Sequence, residues 1–198
     1  DIKPSNLVAC RMGVAVDFVK ILDFGLVKLA SEEGSGQLNL TSPNVTTGTP
    51  AFMAPEVALG NRPVDRRADL YALGCVAYWL LTGRTPFEAP TAVAMLMQHV
   101  QDDVRAPSEV SELAIPPELD RIVLDCLAKH PDDRPNDAAA LYRRLAECPV
   151  PDPWDRDRAL EWWNLHLAEH SLEAGAPEAA FSAGWKIAVP REGEPGGV

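Results

Sequence analysis

Basic residues are scarce in this sequence: 18 Lys and Arg stand against 29 Asp and Glu, a formal net charge of −11. Nothing in it would neutralise a phosphate backbone, which excludes nucleic-acid binding as its task. Long apolar runs are missing too. The longest, residues 70–81, is twelve residues and too short to span a bilayer, so no membrane segment is expected in this chain. Cysteine is sparse and scattered. Cys10, Cys75, Cys126 and Cys148 form no C-x-x-C pair, which argues against a zinc knuckle and a disulfide framework. Apolar neighbours around three of them point to buried, reduced thiols and a cytoplasmic setting. The four histidines show no metal spacing. A starting methionine and a signal peptide are also lacking. The first residue is Asp1, and the sequence reads as a piece of something longer.

What is present is ordinary globular material, 46% hydrophobic and 24% charged over 198 residues, enough for one large domain or one domain with an appendage. Residues 7–10 and 18–22 are short apolar runs around the turn-like Arg11-Met12-Gly13, which predicts a small hairpin. Residues 31–49 are rich in Ser, Gly, Asn, Thr and Pro, a long loop of the functional kind. Residues 65–82 are apolar on nearly every face, as a buried helix is, with Asp65 and Asp69 at its positive end and Gly83 as its stop. A second helix is expected over 91–100. Leu119, Ile122, Val123, Cys126 and Leu127 keep the i, i+3, i+4, i+7, i+8 spacing of a third, opened by Pro116-Pro117-Glu118. A fourth is expected over 137–147. The expected fold is therefore mainly α with one small β-hairpin near the N-terminus. Residues 1–148 read as the domain. In 149–198, Pro149, Pro151 and Pro153 make a linker, 155–170 a Trp-rich helix, and the rest a flexible tail. Trp154, Trp162 and Trp163 favour a helix that docks back on its own domain over one that contacts another domain or subunit.

Three elements occur in one order: Asp1-Ile2-Lys3-Pro4-Ser5-Asn6, Asp23-Phe24-Gly25 and Ala54-Pro55-Glu56, with 33 positions from Asp23 to Glu56. Together they resemble the eukaryotic-type serine/threonine protein kinases, specifically their C-terminal lobe from the catalytic loop onward, over residues 1 to about 147. The resemblance implies phosphoryl transfer from ATP with Mg²⁺ to a protein hydroxyl, chemistry that depends on positioning and charge neutralisation. It makes Asp1 the catalytic base and Lys3 the cation that reaches the transferring phosphate. It makes Asn6 and Asp23 the oxygen ligands of magnesium, and Val8 the apolar contact under the adenine.

The same resemblance makes Gly48-Thr49-Pro50-Ala51-Phe52-Met53-Ala54-Pro55-Glu56 the end of the activation segment. Thr49 then bridges the catalytic Asp and Lys. Thr46 and Thr47, with Thr41 and Ser42 behind them, are the candidate acceptors of a regulatory phosphate. Glu56 is expected to pair with Arg134, with similar losses on removing either, and Asp69 to brace the catalytic loop backbone. The glycine-rich loop, the strand lysine and its glutamate partner of this family stand upstream of such a lobe and are not in this sequence. The expectation is a fragment without activity by itself, whose partner is the missing N-lobe of the same parent. The alternatives are a kinase-like binding scaffold without catalysis, or a truncated gene product.

Overall fold

A computed structural model of the chain describes residues 1–22 and 50–166. Its fold is mainly helical, with one two-stranded antiparallel sheet among the described residues. The contacts separate two units, Asp1–Trp154 and Asp155–Val198. No helix among the described residues is long and apolar enough to cross a membrane.

In the first unit a 3₁₀ turn, Pro4–Asn6, leads into strand β1, Leu7–Met12, which pairs with β2, Ala15–Ile21. Gly13 takes φ +60° and lets the chain reverse. After the undescribed segment come a 3₁₀ turn at Pro50–Phe52 and five helices: α1 Pro55–Leu59, α2 Arg67–Thr82, α3 Ala92–Gln101, α4 Pro107–Val110 and α5 Pro117–Cys126. A 3₁₀ turn at Pro131–Asp133 precedes α6, Ala138–Glu147. The second unit begins with α7, Arg156–His166, where Trp162 stacks on His166 one turn on.

The helix ends follow local chemistry. Thr91 accepts the Ala94 N–H at 3.2 Å and Asp137 accepts the Ala140 N–H at 2.7 Å, each satisfying one of the free donors that open a helix. Proline opens α1, α4 and α5, where no N–H is needed. Gly83 ends α2 in the left-handed region (φ +71°) and returns its N–H to Trp79.

Helix α2 lies at the centre of the unit. Tyr71, Cys75 and Tyr78 pack with Val123 and Leu127, while Leu70 meets Ile122, Cys126 and Leu141. The helices α2 and α5 approach closely at Gly74. A Cβ there would stand 2.7 Å from Cys126 Cβ and 3.2 Å from Leu127. Gly74→Ala is therefore expected to cost about 1–3 kcal/mol by overpacking, read as a lower melting temperature with an unchanged urea m-value.

Only two cysteines lie in the core, Cys75 and Cys126. Burial raises both thiols, Cys126 to about 11, which keeps them protonated and inert. Cys10 is only half-buried, since a two-stranded ribbon covers few of its own side chains; its Sγ donates to the Phe18 carbonyl at 3.3 Å. The predicted helices over 65–82, 91–100 and 137–147 match α2, α3 and α6 within two residues at each end. The short helices α1 and α4 carry too few residues for a periodic signal. Of the helix expected over 155–170, residues beyond His166 lie outside the described ones.

Candidate active site

The chemistry-bearing residues of the opening hexad converge in one tight turn. Lys3 Nζ donates to Asp1 Oδ2 at 2.7 Å, with both side chains about one-fifth exposed. The Asn6 N–H closes the 3₁₀ turn on the Lys3 carbonyl at 2.9 Å. The Asn6 side chain is buried, and its Nδ2 donates to the Asp1 carbonyl at 2.9 Å. A carbonyl only accepts, so the amide nitrogen is committed and the amide oxygen is left to bind something else. The Leu22 N–H donates to the Asn6 carbonyl at 2.7 Å, which ties the residue before Asp23 back to the turn.

This arrangement can hold one carboxylate ionised beside a cation, with one carboxylate oxygen not engaged by Lys3, next to an amide oxygen suited to a hard cation. Asp23 lies outside the described residues, as do Thr41, Ser42, Thr46, Thr47 and Thr49. Among the described residues no three acidic, His or Cys side chains form a metal cluster. Val8 follows on β1 and is 39% exposed, so its side chain is not consumed by core packing. Asp69 sits in the first turn of α2, exposed, and no described residue hydrogen-bonds its carboxylate. Its charge stands at the positive end of the helix.

Far along the chain, Arg134 and Glu56 form a buried fork-to-fork ion pair, Nη1–Oε1 2.7 Å and Nη2–Oε2 2.8 Å, with both side chains almost wholly excluded from solvent. The remaining Arg134 donors reach the carbonyls of Ala128 (2.8 Å), Arg67 (3.0 Å) and Lys129 (3.2 Å). All five N–H groups are thus satisfied, and the guanidinium lies 4.8 Å from the Tyr71 ring centroid. Beside this pair opens a pocket of about 280 Å³, lined by Arg62, Pro63, Asp65, Arg67, Pro131 and Asp132 as well as Glu56. Arg67 bridges Asp65 (2.9 Å) and Asp132 (2.6 Å) on its rim, and both carboxyls are held below the usual range by it. None of the residues lining this pocket belongs to the opening turn, 1–6.

A second polar cluster escaped the sequence reading. His99 of α3 is fully buried and shares a hydrogen bond with Tyr71 Oη at 2.8 Å. Phe87 packs edge-on to its ring at 4.9 Å. Lys129 Nζ caps the carbonyls of Gln98 (3.3 Å) and His99 (2.9 Å) and stands 4.5 Å from the Phe87 centroid. The only available signal was His99 falling three residues after Leu96 on the apolar face of α3. Burial, then the Lys129 charge, push the imidazole down to about 4; the nearby Ala51 carbonyl opposes this without satisfying Nε2, which has no hydrogen-bond partner. An unfolded histidine titrates near 6.5. The unfolded chain therefore binds the extra proton first as pH falls, and stability is complete above about pH 6.5 and is lost towards pH 4. Urea unfolding should lose about 3 kcal/mol across that window from this residue, and His99→Phe should flatten the acid limb by that amount. Parallel acid limbs in the two proteins would remove the assignment.

The stretch of sequence that carries the turn and the buried pair matches a known family. The model described as "Protein kinase domain" matches residues 1–145. The chain belongs to the protein kinase domain family. Serine/threonine-protein kinase Pkn1 of Myxococcus xanthus is 43% identical over 145 residues, covering 73% of this chain and 20% of that protein. Serine/threonine-protein kinase PknB of Mycolicibacterium smegmatis is 37% identical over 155 residues, covering 77% and 23%. The chain thus spans about a fifth to a quarter of the length of the curated kinases it matches. Protein kinases use ATP and Mg²⁺ to phosphorylate protein hydroxyls. The kinase turn described here suits that pair of reagents. It offers a committed amide whose oxygen no described residue engages, a carboxylate, and an ammonium within one span of six residues.

Proposed function

We propose that this chain supplies the acceptor-side half of a serine/threonine protein kinase active site, completed by a nucleotide-gripping lobe of the same parent protein. Bound ATP and Mg²⁺ would supply the electrophilic phosphoryl group and neutralise its charge. Asp1 accepts the proton of the incoming Ser or Thr hydroxyl. Lys3 holds the Asp1 carboxylate in place and offers its remaining N–H donors to the phosphoryl oxygens. Asn6 and Asp23 would hold the metal, Val8 would line the adenine site, and Thr49 would bridge Asp1 and Lys3. Thr46 and Thr47 would take the activating phosphate. Glu56 and Arg134 keep the segment that receives the substrate packed on the helical core, and Asp69 would brace the catalytic loop once its neighbours are in place. The dependence on ATP assigns the work to the cytoplasm.

The observation that carries this reading is the closed triangle of Asp1, Lys3 and Asn6. The test is transfer of labelled γ-phosphate from ATP to a generic basic protein substrate by the parent protein, compared with its Asp1→Asn variant. Transfer in both at the same rate, or in neither with ATP and Mg²⁺ bound, would refute it.

A further inference from the structure

Asp17 is the only non-glycine residue among those described with a positive φ, +56°. It lies in a bulge of β2. Between the pairs Cys10↔Phe18 and Met12↔Ala15, the single residue Arg11 faces both Val16 and Asp17. A bulge bends the strand and re-aims a side chain, and Asp is among the few residues that tolerate the left-handed region. The re-aimed carboxylate accepts a hydrogen bond from Trp154 Nε1 at 2.6 Å, a partner 137 residues further along. Trp154 closes the proline-bearing segment that follows α6 and is the last residue of the first unit.

We propose that the Trp154–Asp17 hydrogen bond is a latch that fixes the segment after α6 to the hairpin and holds the hairpin's geometry at the catalytic turn. Three features support this. A two-stranded ribbon is marginal in water, so an anchor outside its own ladder has leverage. Most of the hairpin is exposed, including Met12, Val14 and Val19, so core packing does little to hold it. The hairpin's base is the site itself, because β1 leaves directly from Asn6 and Leu22, one residue beyond β2, donates to the Asn6 carbonyl. Prolines at 149, 151 and 153 limit the freedom of the latched segment, so the position of Trp154 is passed on rather than absorbed. Trp154 and Asp17 are positioning residues, and the latch stands whether or not the chain transfers phosphate.

The test uses the full 198-residue chain, labelled with ¹⁵N. Five indole N–H resonances are available, and Trp154→Phe identifies the one that matters. Asp17→Ala is expected to move that resonance. Asp17→Asn, which keeps an acceptor and tolerates the same φ, should leave it close to the wild-type position. In Asp17→Ala and in Trp154→Phe, hairpin amides, the Leu22 N–H among them, should exchange about three- to tenfold faster, with α2 and α5 amides unchanged. Asp17→Asn should restore the slower exchange. A Trp154 resonance indifferent to Asp17→Ala, or unchanged hairpin exchange in Trp154→Phe, overturns the latch. If Asp17→Ala does not fold, Trp154→Phe and Asp17→Asn decide by the same exchange readout. None of these measurements depends on phosphate transfer, so failure of the kinase reading is told apart from failure of the latch.

Discussion

Asp1→Asn, in an active kinase containing this chain, is expected to lower phosphoryl transfer about 10²–10⁴-fold, the usual weight of a positioned general base. The substitution keeps the shape of the side chain and an oxygen that can accept from Lys3, 2.7 Å away in the parent. It removes the negative charge and the ability to take a proton from the acceptor hydroxyl. The loss should appear in kcat, with the KM for ATP little changed, because Asn6 makes its turn contact through the Asp1 backbone carbonyl rather than the side chain. Asn6→Ala should divide differently. It removes both the proposed metal ligand and the bond that closes the turn, so the magnesium requirement should rise as kcat falls. A kcat for Asp1→Asn within a few-fold of the parent would leave Asp1 as a turn residue and end the proposed mechanism.

Arg134→Ala and Glu56→Ala should each destabilise the helical unit by about 3–5 kcal/mol, since each leaves an uncompensated charge in a dry site. From the sequence alone the two losses are expected to be similar. The geometry makes them unequal. Glu56→Ala removes one partner of a guanidinium that keeps three carbonyls and the Tyr71 ring, whereas Arg134→Ala also frees the carbonyls of Ala128, Arg67 and Lys129. Arg134→Ala is therefore the larger. The double variant should recover part of the sum, with a coupling of about 0.5–3 kcal/mol, because removing both charges leaves neither one stranded. Urea unfolding of the four proteins at pH 7 measures this cycle. A strictly additive double variant would mean that the pair has no energetic existence beyond its geometry.

Much of the fold was legible because its signals are local. The apolar run that became α2, the i, i+3, i+4 spacing of α5, and the stop at Gly83 act within a few residues of themselves. Asp1, Lys3 and Asn6 were legible as candidate site residues through the motif they carry, whereas the bonds that join them in one turn were not part of that expectation. The expectation of three buried cysteines rested on apolar neighbours in sequence; only Cys75 and Cys126 are buried, and the ribbon that carries Cys10 has little to cover it. Asp69 was read as a brace for the catalytic loop backbone, and among the described residues it stands exposed in the first turn of α2.

By itself, then, the order of residues determined the helices and the hairpin, products of short-range chemistry, and the motifs that mark the family. Beyond the expected Glu56–Arg134 pair, tertiary structure alone decided which distant groups meet. It adds the carbonyls of Ala128, Arg67 and Lys129 around that pair, buries His99 between Tyr71 and Phe87, and aims Asp17 from its bulge at Trp154. Those outcomes depend on desolvation and on how whole helices and strands pack against each other, and no window of sequence contains both partners.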